Sequence, residues 1–192
     1  MTRLARLTIC ALALGLVVAP ANATIISYEA NLDGPSEAPP NGSPGTGFAT
    51  LVYDDVAHTM QMHVEFSGLI GTTTAAHSHG PTAVAGTGTA SVMTTTPFFA
   101  GFPIGVSSGM YDILMDMTLS SSYNPSFVTA NGGTTASAEI ALASAIAQGR
   151  AYLNIHSNAF PGGEIRGFWQ LVPEPSALSL LAFAGLLIRR RR

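Results

Sequence analysis

Three histidines in this chain are spaced so that they could bind one metal ion. His77 and His79 are two residues apart, and in a β-strand such residues share a face, with Cα atoms about 6.6 Å apart. His156 ends a second predicted strand, where Tyr152 and Asn154 lie on the same face. If the two strands pair, three imidazoles meet. Three histidines with one open coordination position suit zinc or copper.

The same histidines are also compatible with a purely structural role. Histidines at strand ends often hydrogen-bond to backbone carbonyl groups or pack against glycine turns. In that interpretation Gly80-Pro81 and Gly162-Gly163 fix the neighbouring turns, and Glu164 and Arg166 form a same-face pair beside them. The residues alone leave three alternatives open: a metal site, a polar structural cluster and a catalytic centre.

Other residues with catalytic or ligand chemistry are predicted to be surface groups. The segment Gly105-Val106-Ser107-Ser108-Gly109 fits the G-x-S-x-G pattern of esterases. That motif requires a helix after the serine, whereas a strand pattern follows here. His58 follows Asp54-Asp55 in a predicted turn, and His63 is on the polar face of a predicted strand. We therefore expect both histidines in solvent.

The elements that would position these residues are predicted to be short β-strands. Apolar and polar residues alternate, or β-formers are enriched, in segments 26–32, 48–53, 60–66, 111–119, 151–156 and 165–171. Segments rich in Gly, Pro, Ser and Thr separate them. The alanine-rich run Ala136 to Gln148, followed by Gly149, predicts one short helix. The pattern is typical of an all-β, antiparallel immunoglobulin-like β-sandwich or barrel.

The N-terminus predicts export. Arg3 and Arg6 precede the apolar run 7–18, and Ala21-Asn22-Ala23 fits an A-x-A cleavage site, so residues 1–23 are predicted to be a signal peptide. Cys10, the only cysteine, lies in that segment. The mature chain would therefore contain neither a disulfide nor a thiolate ligand. Residues 24–171 have the length of one domain.

The C-terminus resembles the PEP-CTERM sorting signal of exopolysaccharide-producing Gram-negative bacteria. Pro173-Glu174-Pro175 precedes an apolar run of 12 residues, 177–188, and arginines occupy positions 189–192. The run is shorter than the roughly 20 residues of a spanning helix, and the arginines favour a cytoplasmic C-terminus. The resemblance implies that residues 172–192 form a short transmembrane segment, which an exosortase-type enzyme removes after a transient stay in the inner membrane. Retention as an anchor is the alternative.

The charge of the exported part excludes some partners. Only Arg150 and Arg166 are basic between residues 24 and 188, against eleven acidic residues, which gives a formal charge of −9. Such a surface repels phosphate backbones, so no nucleic-acid partner is expected.

Three blocks of the chain resemble the CHRD domain, which is named after chordin. They are Glu37-Ala38-Pro39-Pro40, Ala76-His77-Ser78-His79-Gly80-Pro81, and Gly149-Arg150-Ala151-Tyr152-Leu153-Asn154-Ile155-His156 with Pro161-Gly162-Gly163-Glu164-Ile165-Arg166-Gly167. The resemblance implies an extracellular β-sandwich module without established catalytic residues.

The predicted function is therefore an exported, surface-sorted, non-enzymatic CHRD module associated with exopolysaccharide or extracellular matrix. The alternative is an extracellular protein that binds zinc or copper through His77, His79 and His156. In its most specialised version, this alternative includes redox activity at the bound metal.

Overall fold

Alternating side chains divide each strand between a core face and an outer face. The computed structural model describes residues 24–173. Its strands are β1 (Ile25–Asp33), β2 (Thr46–Asp54), β3 (Thr59–Ser67), β4 (Thr73–His79), β5 (Gly109–Asp116), β6 (Tyr152–Ser157), β7 (Ile165–Phe168) and β8 (Gln170–Leu171). In β3 the core residues are Met60, Met62, Val64 and Phe66, at most 4% exposed. The prediction of an all-β fold is confirmed.

The strands form one continuous antiparallel sheet that curls into a half-barrel. Its order is β4-β6-β7-β1-β2-β3-β5, and β8 also pairs with β1. Strand β1 changes partner along one edge, since Asp33 pairs with Arg166 of β7 and Glu29 pairs with Gln170 of β8. The curl encloses the core on one face of the sheet, which leaves the other face for polar side chains.

Two predicted strands differ in their bounds. The segment 165–171 is split at Trp169. The backbone N–H of Trp169 donates to Ala151 O, and its side chain is buried in the core. The segment 111–119 is shifted towards its N-terminus, because the chain turns after β5. Asp116 accepts hydrogen bonds from the N–H and hydroxyl of Thr118 there, which ends the strand.

Two α-helices follow β5. Helix α2 (Thr135–Ala147) matches the predicted helix, with a capping box between Thr134 and Ser137 and Gly149 at φ +64° after its end. Helix α1 (Pro125–Ala130) was not predicted. Its six residues are too few to show a helical period, although Asn124-Pro125 is a typical N-cap and N1 pair.

The predicted signal peptide 1–23 and apolar segment 177–188 lie outside the described residues. Within residues 24–173, no helix is long and apolar enough to cross a membrane.

Candidate metal centre

The two histidine-bearing strands are direct neighbours in the sheet. In the ladder between β4 and β6, His77 lies opposite Asn154, His79 opposite Tyr152 and Ala75 opposite His156. The two strands therefore pair, which is the condition that the sequence set for the three imidazoles to meet. Because side chains alternate along β6, its residues Tyr152, Asn154 and His156 point away from the core that Leu153 and Ile155 enter. The three histidines consequently lie on the polar face of the sheet.

Three loops cover the part of this polar face that β4, β6 and β7 form. The β1–β2 loop supplies Ser36, whose carbonyl accepts from Arg166 Nε. The β4–β5 loop supplies Gly88 O, which accepts from Arg166 Nη1, and Ala90 O, which lies 2.8 Å from His79 Nδ1. The β6–β7 loop supplies Pro161 O, which lies 2.9 Å from His156 Nδ1. These contacts bury a layer of polar side chains beneath the loops.

The three imidazoles form a compact cluster. Ring centroids are 4.6 Å apart for His77 and His79, 4.7 Å for His77 and His156, and 6.2 Å for His79 and His156. One nitrogen from each ring lies within 4.8 Å of the others. Tetrahedral zinc with Zn–N bonds of about 2.0–2.1 Å brings its nitrogens to about 3.3 Å from each other. The rings therefore need a small rotation inward to bind one ion.

The hydrogen bonds of two rings fix their tautomers. A carbonyl oxygen can only accept, so Nδ1 of His79 and of His156 each carry the proton. In the neutral ring this leaves a lone pair on Nε2. These two Nε2 atoms, together with His77 Nδ1, are buried and have no hydrogen-bond partner among the described residues. The cluster therefore has three ring nitrogens without a hydrogen-bond partner among the described residues, and those of His79 and His156 carry a lone pair in the neutral ring.

Burial keeps these histidines neutral. It lowers the pKa of His77 to about 3, with smaller contributions from His79 and His156. Burial also lowers the pKa of His79 to about 4, against the opposing effect of the Ala90 carbonyl. The pKa of His156 is lowered for the same reason. Neutral imidazole is the form that binds metal ions.

A second group of polar residues adjoins the histidines. Tyr152 stacks on His79 with centroids 4.9 Å apart and planes inclined by 5°, and the Arg166 guanidinium lies 4.8 Å from the Tyr152 centroid. Asn154 Nδ2 donates to Glu37 Oε1 at 2.8 Å. Arg166 Nε lies 3.9 Å from Glu37 Oε2. Residues from all three sequence blocks therefore meet at this site.

Glu37 is a buried carboxyl group within that network. Burial raises its pKa to about 7, although Arg166 and the hydrogen bond from Asn154 oppose the shift. Gly163 makes room for it, because a Cβ there would lie 2.6 Å from Glu37 Oε1 and the backbone has φ +131°. Gly162 has open space at the corresponding position. Gly167 permits the close approach of β7 to the Asn31 backbone in β1.

Glu164 does not pair with Arg166, contrary to the structural interpretation of the sequence. Its side chain is fully buried, and Oε1 accepts from Ser43 Oγ at 2.6 Å and from Ile70 N at 2.5 Å. Oε2 accepts from Gly71 N at 3.2 Å. Arg166 lies beside Glu37 instead. The reason is that the β1–β2 and β3–β4 loops reach Glu164, which residue spacing cannot reveal.

The remaining sequence candidates lie outside the cluster. His63 is on the outer face, 2.7 Å from Asp112 Oδ1. His58 is half-exposed and lies 3.0 Å from Glu139 Oε2, a contact that sequence reasoning missed because Glu139 is on α2. Ser107 is followed by strand β5 rather than by a helix, so it lacks the context of an esterase nucleophile.

Gly80-Pro81 directly follows β4, as the sequence predicts for a turn at the strand end. Gly80 N donates to Ser91 O, and Thr82 N donates to Arg150 O. The turn therefore ties the end of β4 to Ser91 of the β4–β5 loop and to Arg150, two residues before β6 begins.

Most of the residues that form this fold and site match one known protein family. Residues 28–169 match the CHRD domain family, and the chain belongs to that family. The family suggests an extracellular module. No curated protein and no solved structure matches the chain. The PEP-CTERM signal stays a prediction, since Glu174 and Pro175 lie outside the described residues.

Proposed function

We propose that this chain is an extracellular module that binds one transition-metal ion through His77, His79 and His156. Two observations support it: ring nitrogens of the three histidines lie within 4.8 Å of one another, and each ring has one buried nitrogen without a hydrogen-bond partner among the described residues. A buried polar atom left without a partner costs about 1–3 kcal/mol. One metal ion would satisfy all three nitrogens at once.

The surroundings of the rings also favour a metal over a structural cluster. Histidine ligands usually donate their second ring N–H to a carbonyl or carboxylate, which fixes the ring and its tautomer. His79 and His156 have such partners in Ala90 O and Pro161 O. A purely structural cluster would be expected to pair the inner nitrogens as well, because buried polar atoms are normally hydrogen-bonded.

The ligand set narrows the choice of metal. Three neutral nitrogen ligands suit zinc and copper, and they disfavour magnesium and calcium, which prefer oxygen. Three protein ligands leave a fourth position for water or a small ligand. With copper bound, the proposed metal-binding function would also include one-electron redox chemistry. The module is otherwise proposed to be non-enzymatic.

The test is the metal content of the chain after export and processing. We expect about one zinc or copper ion per chain by elemental analysis after incubation with each metal and removal of the excess. His77→Ala and His156→Ala should lose the ion. His63→Ala, a histidine on the outer face, is the matched control and should retain it. A wild-type protein that takes up neither metal would leave the histidines as structural residues.

A second proposed function is association with exopolysaccharide at the cell surface. It is favoured by the outer face of β2, β3 and β5, where Phe48 and Met110 are exposed on either side of Glu65. Asp112 and Gln61 lie further along the same face. Aromatic and apolar surface can pack on sugar rings, while carboxylates and amides bond to hydroxyl groups. Retention on immobilised neutral polysaccharide that is reduced by Phe48→Ala would support this function, and equal retention of the two proteins would contradict it.

The location proposed for the module depends on its two ends. We infer export through residues 1–23, a transient inner-membrane stage and sorting to the surface by an exosortase-type enzyme. Replacing Pro173-Glu174-Pro175 with alanines should keep the protein in the inner-membrane fraction. Unchanged surface delivery of that variant would contradict the sorting proposal.

A further inference from the structure

Asn154 occupies a central position beside the histidine cluster. It lies directly opposite His77 across the β4–β6 ladder, and paired residues in a sheet have Cβ atoms about 4.5–5.5 Å apart. It also shares a strand face with His156, two residues further along β6. Its side chain is 2% exposed. Among the described residues, Asn154 Oδ1 has no hydrogen-bond partner.

Glu37 fixes the orientation of the Asn154 amide. Asn154 Nδ2 donates to Glu37 Oε1 at 2.8 Å, so the amide nitrogen faces Glu37. Above the Glu37 pKa of about 7, the carboxylate can only accept, which holds the amide in this orientation. Arg166 lies on the other side of Glu37, 3.9 Å from Oε2, and its two backbone contacts to Ser36 and Gly88 hold it there. The amide oxygen is thereby left as a buried acceptor without a partner among the described residues, on a residue that lies opposite His77 and two positions from His156.

We propose that Asn154 Oδ1 accepts a hydrogen bond from a water molecule, or from another small O–H or N–H ligand, at the fourth coordination position of the metal. The proposal rests on the metal-binding function proposed above. It assigns Asn154 as a positioning residue and Glu37 as the group that orients it. It also assigns a ligand class, because an oxygen acceptor at this position favours small protic ligands over anions that have no proton to donate.

The physical basis is the polarity of a metal-bound ligand. A metal ion draws electron density from its water and makes the O–H a stronger donor. An amide oxygen held nearby stabilises that donor, whereas it repels an anion such as azide. A hydrogen bond of this kind contributes about 0.5–1.5 kcal/mol, which corresponds to about threefold to tenfold in the relative affinity of the two ligand classes.

The first experiment measures anion binding to the cobalt(II)-loaded protein, which is the chain as it exists after export and processing. Azide is titrated into the wild type, Asn154→Leu and Asn154→Ser, and the visible spectrum of cobalt reports its binding. We expect azide to bind about threefold to tenfold more tightly to both variants. Asn31→Leu, an exposed asparagine on β1, is the matched control and should bind azide as the wild type does.

The outcomes separate this inference from the function on which it rests. A wild type that binds no cobalt, zinc or copper contradicts the proposed function itself. Normal cobalt binding with unchanged azide affinity in both Asn154 variants overturns the role of Asn154 alone. A loss of cobalt affinity beyond about a hundredfold in Asn154→Leu also overturns it, because that exceeds the usual effect of an outer-shell group and Oδ1 would then bind the metal directly.

A measurement on the wild type keeps the inference testable if the variants do not fold. The carbon-13 shift of the Asn154 side-chain carbonyl is followed by NMR as zinc is added. We expect it to move as one equivalent of zinc binds, since Oδ1 gains a hydrogen bond. The side-chain carbonyls of Asn31 and Asn131 serve as internal controls. An Asn154 shift that stays constant while one zinc ion binds overturns the inference.

Discussion

Individual residues in the polar layer have protonation states that depend on burial. His77 and His79 are enclosed by loops and have lowered pKa values. His63 lies on the outer face, where hydrogen bonds from its ring to Asp112 and Glu65 raise its pKa. Histidines of the same chain therefore differ in their pKa because of their positions in the sheet.

The titration of the histidines tests this difference directly. By NMR of the metal-free protein, we expect His77 and His79 to remain neutral at about pH 5, with pKa values of about 3 and about 4, and His63 to be protonated.

Unfolded histidines bind protons near about pH 6.5, so the unfolded state takes up more protons than the folded state below that pH. Stability from these two histidines is complete above about pH 6.5 and falls as the pH drops towards about 3. A spectrum in which His77 titrates near its ordinary pKa would contradict the buried, neutral cluster.

Glu37 has the opposite effect on stability in part of this range. Its pKa of about 7 in the folded state lies above the usual value of 4.5. Its contribution to stability is therefore fully present below the usual value and is lost as the pH rises towards about 7. Glu37→Gln should consequently steepen the acid-induced loss of stability between these two pH values, measured by urea unfolding at several pH values. A variant whose stability changes with pH as the wild type does would contradict the raised pKa.

Loss of the Glu164 carboxylate should destabilise the fold, because the group is buried and hydrogen-bonded. Burial raises its pKa, but hydrogen bonds from Ser157, Ser43 and the N–H groups of Ile70 and Gly71 outweigh this effect, so its pKa is lowered. Glu164→Gln places an amide NH₂ group, which can only donate, next to groups that already donate hydrogen bonds to this side chain. We therefore expect a loss of about 2–3 kcal/mol in the free energy of unfolding measured in urea. Glu65→Gln, at an exposed carboxylate, should change it by less than about 0.5 kcal/mol. Equal values for the two variants would argue against the structural role of Glu164.

At the scale of elements, the sheet supplies the ligands and the loops orient them. Strands β4 and β6 bring the histidines together, while the β4–β5 and β6–β7 loops provide the carbonyls that fix His79 and His156. The β1–β2 loop brings Glu37 to the same layer. The cluster therefore depends on loop conformation as much as on strand pairing.

The two adjacent glycines of the β6–β7 loop provide a matched test of that dependence. Gly163→Ala introduces a Cβ 2.6 Å from Glu37 Oε1 at φ +131°. We expect a destabilisation of about 1–3 kcal/mol in urea together with weaker metal binding. Gly162→Ala meets open space and should leave both properties near wild type. Equal behaviour of the two variants would show that the loop tolerates a side chain beside Glu37.

The whole molecule is divided between an apolar core on one face of the curled sheet and polar side chains on the other. Residues 24–192 contain no cysteine, so no disulfide within them contributes to stability, and the folded state depends on the core and on the polar layer. A metal ion that binds the folded chain alone would add to this stability by mass action.

Thermal unfolding with and without metal measures that coupling. At a free zinc or copper concentration about 100 times Kd, we expect about 2.7 kcal/mol of added stability and a higher Tm. His77→Ala should lose the increase, while His63→Ala should keep it. A wild-type Tm that does not respond to either metal would show that the site and the fold are not coupled.

The sequence by itself determined most of the strands, the long helix and the residue types that form the site. Strand β4 was not among the predicted segments. Period-two alternation identified β3 and β6, the glycine after an alanine-rich run identified the end of α2, and the His-x-His spacing placed His77 and His79 on one face. These are local signals, since each depends on residues a few positions apart.

The tertiary structure decided which of these residues act together. His156 joins the pair because β6 lies beside β4, and no local sequence pattern records that pairing. Glu164 bonds to the β1–β2 and β3–β4 loops rather than to Arg166, and Arg166 lies beside Glu37 instead. The physical reason is that burial and hydrogen bonding between distant segments depend on how the sheet curls and on which loops cover it. Local residue patterns determine strands and turns, whereas the chain's long-range packing determines the partners of each buried polar group.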